Sequence, residues 1–398
     1  MDDRIIICRK DECIVSAVFR GDECFRLAVC RDDDTLRVGN IYIGRVDSIV
    51  DNVKAAFVDI GLKTNVYAPL KKLYGAYSQP AHADGRLHKG DTVLVQIDRL
   101  PSGIKPASAT GEISLVGNAV VLLKERNGVS FSKMIDDPEF RTSMRELFRE
   151  RKSDDYGIMF RTNAPFFETD KIIAEYELLK KEYEEILQRF TYGKPGTCLT
   201  EGLPEYMTMF RDEHLTDLSE IVTDDENVYG KITQYCADFL PELSGKVRKY
   251  DSDKVSLYHV YDLTKNFKEA LSRVVLLRNG GSIVIEKTEA MTVIDVNSSK
   301  ASESRKKNAL HEINLEAARE IARQLELRSL SGMILCDFIS TGGYDDGEDL
   351  LKKLREYTKS DRGKTDVVDI TKLGIVEMTR EKHGMPLYEQ VKKLGFTP

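Results

Sequence analysis

The alternation of apolar and polar positions is broken by two runs. They are Thr288-Glu289-Ala290-Met291-Thr292-Val293-Ile294-Asp295-Val296-Asn297 and Gly332-Met333-Ile334-Leu335-Cys336-Asp337-Phe338-Ile339. Each is rich in Ile, Val and Leu and ends near a lone carboxylate. Such runs are expected as strands buried on both faces. Between them, Asn308 to Leu330 places Leu310, Ile313, Ala317, Ile321 and Leu325 on one helical stripe, and Gly332 is the expected stop. Strand, crossover helix and strand make a βαβ unit whose strands run parallel. Asp295 and Asp337 then lie near the same C-terminal edge of one sheet. Asn297, two residues beyond Asp295, points to the same side.

Elsewhere the pattern changes several times. Residues 1–34 read as short strands about a Gly21-Asp22 turn. From 38 to 100, strand runs at Asn40–Val50, Ala55–Ile60, Asn65–Leu70 and Thr92–Asp98 are punctuated by Gly44, Gly61 and Gly90-Asp91. Short strands at this spacing predict a small β-barrel, and the OB type is the usual one for RNA. Residues 71–91 read as a longer loop. Strand-like Ala119–Leu123 and Gly157–Arg161 then mix with helical Asp137–Arg151 and Thr169–Phe190. Residues 200–270 carry weaker patterns, and a last helix is expected at Glu348–Tyr357. The expected class is multidomain, α+β and α/β together, without internal repeats.

Length and composition narrow the setting. A chain of 398 residues suggests two to four domains with ample core. The start, Met1-Asp2-Asp3-Arg4, lacks a signal-peptide charge pattern, and no apolar run approaches a transmembrane length. Seven Cys are scattered without a C-x-x-C pair, which suggests neither a disulfide framework nor a zinc site and fits a reducing cytoplasm. A formal charge of −7 is not what a nucleic-acid binder advertises, although patches and not averages bind RNA. Basic clusters at Arg141–Arg151 and Arg305–Lys307 read by default as solvated surface. Asp345-Asp346-Gly347-Glu348-Asp349 lacks the EF-hand spacing and reads as acidic residues at a helix start. The six His have no metal-ligand spacing; His383 is either basic contact to RNA or plain surface.

An Asp inside a buried strand is costly unless something pairs with it. Two carboxylates and an amide converging at a sheet edge can hold magnesium, which takes oxygen ligands and keeps several waters. Such an ion suits phosphodiester hydrolysis. The plainer alternative is structural: capping a helix or pairing with an Arg.

Further residues weigh on that choice. Gly280-Gly281-Ser282-Ile283-Val284-Ile285 leading into Ile294-Asp295-Val296-Asn297 resembles the ribonuclease E/G family. So do Asn314-Leu315-Glu316-Ala317-Ala318 with Ile321-Ala322-Arg323-Gln324-Leu325, and Gly374-Ile375-Val376-Glu377-Met378-Thr379-Arg380. Gly39-Asn40-Ile41-Tyr42, Ala55-Ala56-Phe57-Val58-Asp59-Ile60-Gly61 and Ile113-Ser114-Leu115-Val116-Gly117 match in the first half. The resemblance runs from about residue 36 to 380 and is weak over 198–270.

The resemblance implies an interrupted ribonuclease H-like domain (1–34 and 200–270), an OB-fold RNA-binding domain (35–117), a 5′-sensor domain (118–199) and a DNase I-like catalytic domain (271–398). Asp295 and Asp337 would bind magnesium, with manganese as the alternative ion, and Asn297 would orient Asp295 or touch the scissile phosphate. Phe57, Tyr67 and Lys105 match positions that contact single-stranded RNA; Tyr67 replaces a Phe, and Pro106 stands where Gly is usual. Exposed aromatics on such a barrel stack bases, whereas the plain reading of Phe57 is a core residue. Arg161 and Thr162, with Gly117 and Val121, correspond to a pocket for a 5′-monophosphate end, and Lys133 stands near a basic family position. A guanidinium can clamp two phosphate oxygens; alone, Arg-Thr reads as a salt bridge.

The implied activity is a magnesium-dependent endoribonuclease that cuts single-stranded RNA, not DNA, leaves a 5′-phosphate, and acts in messenger decay and ribosomal RNA processing. The rival reading is a noncatalytic RNA-binding or ribosome-associated protein that keeps the fold. The family typically continues to a C-P-x-C-like pair through which two subunits share zinc. Here Thr379-Arg380 runs to Pro398 without Cys, so no zinc is expected, and a homodimer would have to form without it.

Overall fold

A computed structural model describes residues 3–32, 35–82, 85–101, 105–124, 128–151, 156–212, 218–252, 254–298, 307–341, 344–359, 361, 363–382 and 384–398. The chain divides into two compact units, Met1–Asp32 with Leu215–Pro398, and Asp33–His214. The first unit begins with an antiparallel meander of β1 (Asp3–Lys10), β2 (Cys13–Arg20) and β3 (Glu23–Arg31). Its first turn holds Asp11 at φ 53° and its second Gly21 at φ 61°, the left-handed conformation that tight hairpins need.

The second unit opens with the barrel. Its strands are β4 (Ile41–Val50), β5 (Ala55–Asp59), β6 (Val66–Pro69), β7 (Ser78–Gln79), β8 (Thr92–Arg99) and β9 (Ser108–Thr110). A short helix, α1 (Leu70–Leu73), and β7 occupy the stretch expected as loop. β4 pairs with β5 through its second half and with β8 through its first, which closes a five-stranded ring in the order β4-β5-β6-β9-β8. β6 and β9 run parallel and the other neighbours antiparallel, consistent with the OB type. Gly44 leaves room for a close approach of β5: a Cβ there would meet Val58 Cγ1 at 2.3 Å.

A second sheet follows, with β10 (Ser114–Val116), β11 (Val120–Leu123), β12 (Gly128–Phe131) and β13 (Gly157–Phe160) in the order β10-β11-β13-β12. Helix α2 (Pro138–Leu147) starts where Asp137 accepts from the N–H of Glu139 and Phe140, both at 3.0 Å, a side-chain cap of the usual kind. Helix α3 (Thr169–Tyr192) buries Ile172, Tyr176, Leu179, Tyr183, Ile186 and Phe190 against this sheet. β14 (Cys198–Thr200) joins β4, and α4 (Glu205–Asp212) ends the unit's described residues.

The weakly patterned region 200–270 divides: β14 and α4 stay with the second unit, and the part from Leu218 on extends the meander of the first. β15 (Leu218–Thr223) lies parallel to β1, and β16 (Val247–Lys249) parallel to β15, with α5 (Glu226–Phe239) between them. Helices α6 (Leu257–Val260) and α7 (Leu263–Leu271) pack Leu257, Leu263 and Phe267 on the same core.

The last sheet contains β17 (Val274–Leu276), β18 (Ser282–Lys287), β19 (Met291–Asn297), β20 (Gly332–Asp337), β21 (Thr365–Ile370) and β22 (Ile375–Arg380), ordered β17-β18-β19-β20-β22-β21. Helices α8 (Lys307–Leu327) and α9 (Tyr344–Thr358) cover one face, and α10 (Leu387–Leu394) packs on β3. The acidic run 345–349 lies at the start of α9, as expected.

Two expectations need correction. β19 and β20 are not buried on both faces. Ile294, Val296, Ile334 and Cys336 are buried, while Asp295, Asn297, Met333 and Asp337 are exposed. The helices cover one side only, so a carboxylate on the other keeps its water. Nor does Gly332 stop α8. Ser329 does, at φ 51°, with Leu330 N–H bonded to Leu325 O and Ser329 N–H to Glu326 O, the paired bonds of a Schellman end.

A buried ion pair ties β22 to the segment before β21. Arg380 donates Nε to Asp361 Oδ2 at 2.7 Å, Nη2 to Oδ1 at 2.8 Å, and Nη1 to Leu330 O at 2.6 Å. Gly363 N–H and the Thr365 hydroxyl also donate to Asp361. Burial alone would raise the Asp361 carboxyl; the Arg380 bonds and charge outweigh it and hold it below the usual value. Stability from such a depressed group is present above its unfolded value and lost as pH falls through the folded one. Asp361→Asn should therefore cost about 3–5 kcal/mol at neutral pH in urea unfolding. The gap from wild type should narrow once pH falls below about 3.9.

Candidate active site and nucleic-acid interface

Asp295 and Asp337 stand directly opposite each other in the parallel β19–β20 ladder. Both are exposed on the open face of the sheet. Asn297 Nδ2 donates to Asp295 Oδ2 at 2.7 Å, which fixes that carboxylate's orientation and leaves its other oxygen to the open face. Val284 and Ile375 flank the pair in register, and Val293 and Leu335 lie one step back. The donors are all oxygen and face water, which fits magnesium better than a soft metal. Among the described residues no group of three or more His, Cys, Asp or Glu side chains could hold a metal. Two carboxylates would leave the other coordination positions to water and substrate oxygens, as magnesium prefers.

On the barrel, Phe57 pairs with Tyr67, their ring centroids 6.1 Å apart and their planes at 70°. Both are half-buried, while their neighbours Ala56, Val58, Val66 and Ala68 fill the interior. The two rings therefore lie on the outer wall, and the core reading of Phe57 fails. Tyr67 is opposite Ser108, and Ser108 opposite Arg99, so an exposed Arg closes this cross-strand row. Lys105 is exposed.

The remaining predicted residues meet where β11 begins and β12 and β13 end. Arg161 Nη1 donates to Gly117 O at 2.7 Å and to Arg211 O at 2.9 Å. Its own N–H donates to Ala119 O. The Thr162 hydroxyl bonds the Ser132 hydroxyl at 2.9 Å, beside exposed Lys133. Val121 is 4% exposed and offers almost no surface. His383 and Arg305-Lys306 lie outside the described residues. No described helix is long and apolar enough to cross a membrane.

The ribonuclease E/G family model matches residues 114–383. Ribonuclease E of Synechocystis sp. is 32% identical over 367 residues, covering 89% of this chain and 53% of its own length. Ribonuclease G of Haemophilus influenzae is 30% identical over 364 residues, covering 87% of this chain and 72% of its own. Ribonuclease G of Escherichia coli (strain K12) is 28% identical over 356 residues, with 87% and 73% covered. The chain belongs to the ribonuclease E/G family. It spans about half the length of the ribonuclease E relatives it matches.

This ribonuclease E/G chain also holds a buried acid against Gly117, which no motif marks. Glu175 sits on the apolar stripe of α3, 7% exposed. Its Oε1 accepts from the N–H of Ala119 and Val120, each at 2.9 Å. It packs so closely on Gly117 that a Cβ there would lie 2.1 Å from Oε1. A Glu among Ile172, Tyr176 and Leu179 was the one signal of it in the sequence. Burial pushes its carboxyl above the ordinary glutamate value; the N–H bonds of residues 118–120 and the Arg161 charge offset part of this.

A raised acid binds its proton more tightly when folded. The stability from that proton is complete below the unfolded value and lost as pH rises through the folded one. Glu175→Gln keeps the acceptor and drops the charge. It should match or exceed wild-type thermal stability at pH 7, with the advantage vanishing below about pH 4.3. Glu175→Ala strands the N–H groups and should cost about 1–3 kcal/mol. Equal melting of Gln and Ala variants would contradict the cradle.

Proposed function

We propose that this chain is an endoribonuclease that cuts single-stranded RNA in a magnesium-dependent reaction, leaves a 5′-phosphate, and is stimulated by a 5′-monophosphate end. The observation that carries the reading is the register of Asp295 and Asp337, with Asn297 bonded to the first. The open sheet face gives an extended strand access to that pair. Asp295 and Asp337 would hold the ion, and Asn297 orients Asp295. Magnesium, when bound, polarises the scissile phosphoryl oxygen and makes water more acidic.

Phe57 and Tyr67 stack bases on the barrel wall, with Lys105 and Arg99 as phosphate contacts. The closed ring with both rings outward supports this, because base stacking needs accessible π-faces. Arg161, Thr162, Gly117, Val121 and Lys133 form the 5′ sensor. The convergence of three strand ends supports their grouping, and Lys133 with the paired hydroxyls of Thr162 and Ser132 forms its accessible part. The assigned domains are ribonuclease H-like (1–34 and 200–270), OB (35–117), sensor (118–199) and DNase I-like (271–398). The joining of β15 and β16 to β1–β3 supports the interrupted first domain. Messenger decay and ribosomal RNA processing, in the cytoplasm, are the settings such chemistry serves.

The deciding experiment incubates the purified chain with a single-stranded, 5′-monophosphorylated oligoribonucleotide, with and without magnesium. Cleavage should need the ion. Asp295→Asn and Asp337→Asn should each abolish it and leave RNA binding intact. Binding without any cutting would make the chain a noncatalytic RNA-binding protein.

The same substrate with a 5′-hydroxyl should be cut more slowly. Arg161→Ala should slow only the monophosphorylated substrate, since losing a charge-assisted bond costs about 1.5–3 kcal/mol, roughly ten- to a hundredfold in rate. Equal slowing of both substrates would return Arg161 to the backbone role its bonds to Gly117 and Arg211 already describe.

A further inference from the structure

Asn is a poor helix former, because its side chain competes for backbone partners, yet Asn314 lies inside α8 and is 2% exposed. Its carboxamide is spent on one residue. Nδ2 donates to Ile339 O at 2.8 Å, and Oδ1 accepts from Ile339 N–H at 3.0 Å. The side chain thus acts as a strand partner for a residue just beyond the sheet. β20 and its pairing with β22 both end at Asp337. Past that point the chain is held by Phe338, buried in the core under α8 and α9, and by this amide clamp.

The two carboxylates are braced differently. Asp295 has a direct partner in Asn297, and Asp337 has no side-chain bond among those described. Its place depends on its backbone, which Cys336 anchors on one side and Phe338 and Ile339 on the other. We propose that Asn314 is a positioning residue for Asp337: by clamping both backbone groups of Ile339, it holds the second carboxylate in register with the first. The inference rests on the reading of Asp295 and Asp337 as the ion-binding pair. Partners one shell outside metal ligands typically contribute about 10–100-fold to metal affinity or activity.

Asn314→Leu keeps the volume and removes both bonds; Asn314→Ser removes them and leaves room for water. Gln324→Leu is the control. Gln324 is 0% exposed on the same helix and bonds Glu269 and Glu320, away from Asp337. Manganese binding, read by electron paramagnetic resonance without RNA, should weaken about 10–100-fold in either Asn314 variant and stay unchanged in Gln324→Leu. Cleavage kcat should fall in parallel, with KM for RNA unchanged and circular dichroism showing a folded chain. If Asn314→Leu does not fold, Asn314→Ser is read alone.

Wild-type manganese affinity in a folded Asn314 variant would overturn the proposal. So would a loss of activity matched by Gln324→Leu at equal thermal stability. If Asp337→Asn itself leaves manganese binding and cleavage intact, the carboxylate-pair reading fails first and takes this inference with it.

Discussion

Ile294 and Cys336 are buried side by side beneath the helices of the six-stranded sheet, and this packing decides where the chain can do chemistry. Side chains alternate along a strand, so burying these two forces Asp295 and Asp337 onto the opposite face. A slip of one residue in either strand would bury a carboxylate in an apolar core at a cost of several kcal/mol. The register that places two acids together is thus specified by apolar burial and not by the acids, whose mutual repulsion opposes it.

Helix α8 imposes that register and links it to the rest of its unit. Its apolar stripe carries Ile313, Ala317 and Ile321 into the core, while Asn314 and Glu316 grip backbone on either side: Ile339 after β20, and Arg278 and Asn279 in the β17–β18 turn. Its second half ends in a buried polar network. Arg323 reaches Cys24 O, Glu320 and Glu269; Gln324 bonds both acids; Arg328 bonds Gln324, Ser272 O and Glu269 O. A network this fully satisfied adds geometric specificity more than net stability. One helix therefore contacts both the meander β1–β3, at Cys24, and the segment that follows the acidic edge, at Ile339.

In the second unit a different balance holds. Small interior residues, Ala56, Ala68 and Ala109, let the barrel close tightly, and the large aromatics Phe57 and Tyr67 are left outside. Beside the neighbouring sheet, the turn of residues 117–120 points the N–H groups of Ala119 and Val120 inward, and the Glu175 carboxyl fills that cradle. Arg161 bonds the carbonyl of the same turn. The residues that resemble a phosphate pocket are thus also the residues that hold this close-packed turn together.

Periodicity alone identified the βαβ unit, the shared side of Asp295 and Asn297, the barrel strands and helices α2, α3 and α9, because those signals are local and repeat within a few residues. The motif residues then identified the family. What periodicity could not show was which face of β19 and β20 a helix would cover, since Ile-Val-Leu runs look alike whether one side or both are buried. It could not show that Ser329 ends α8, because a left-handed Ser carries no mark in sequence. Nor could it show Asn314 or Glu175 at work: each is a polar residue on an apolar stripe, and its partners lie 25 and 55 or 56 residues away in the chain. Such contacts exist only once tertiary packing has brought distant backbone to them, and burial then makes each hydrogen bond obligatory.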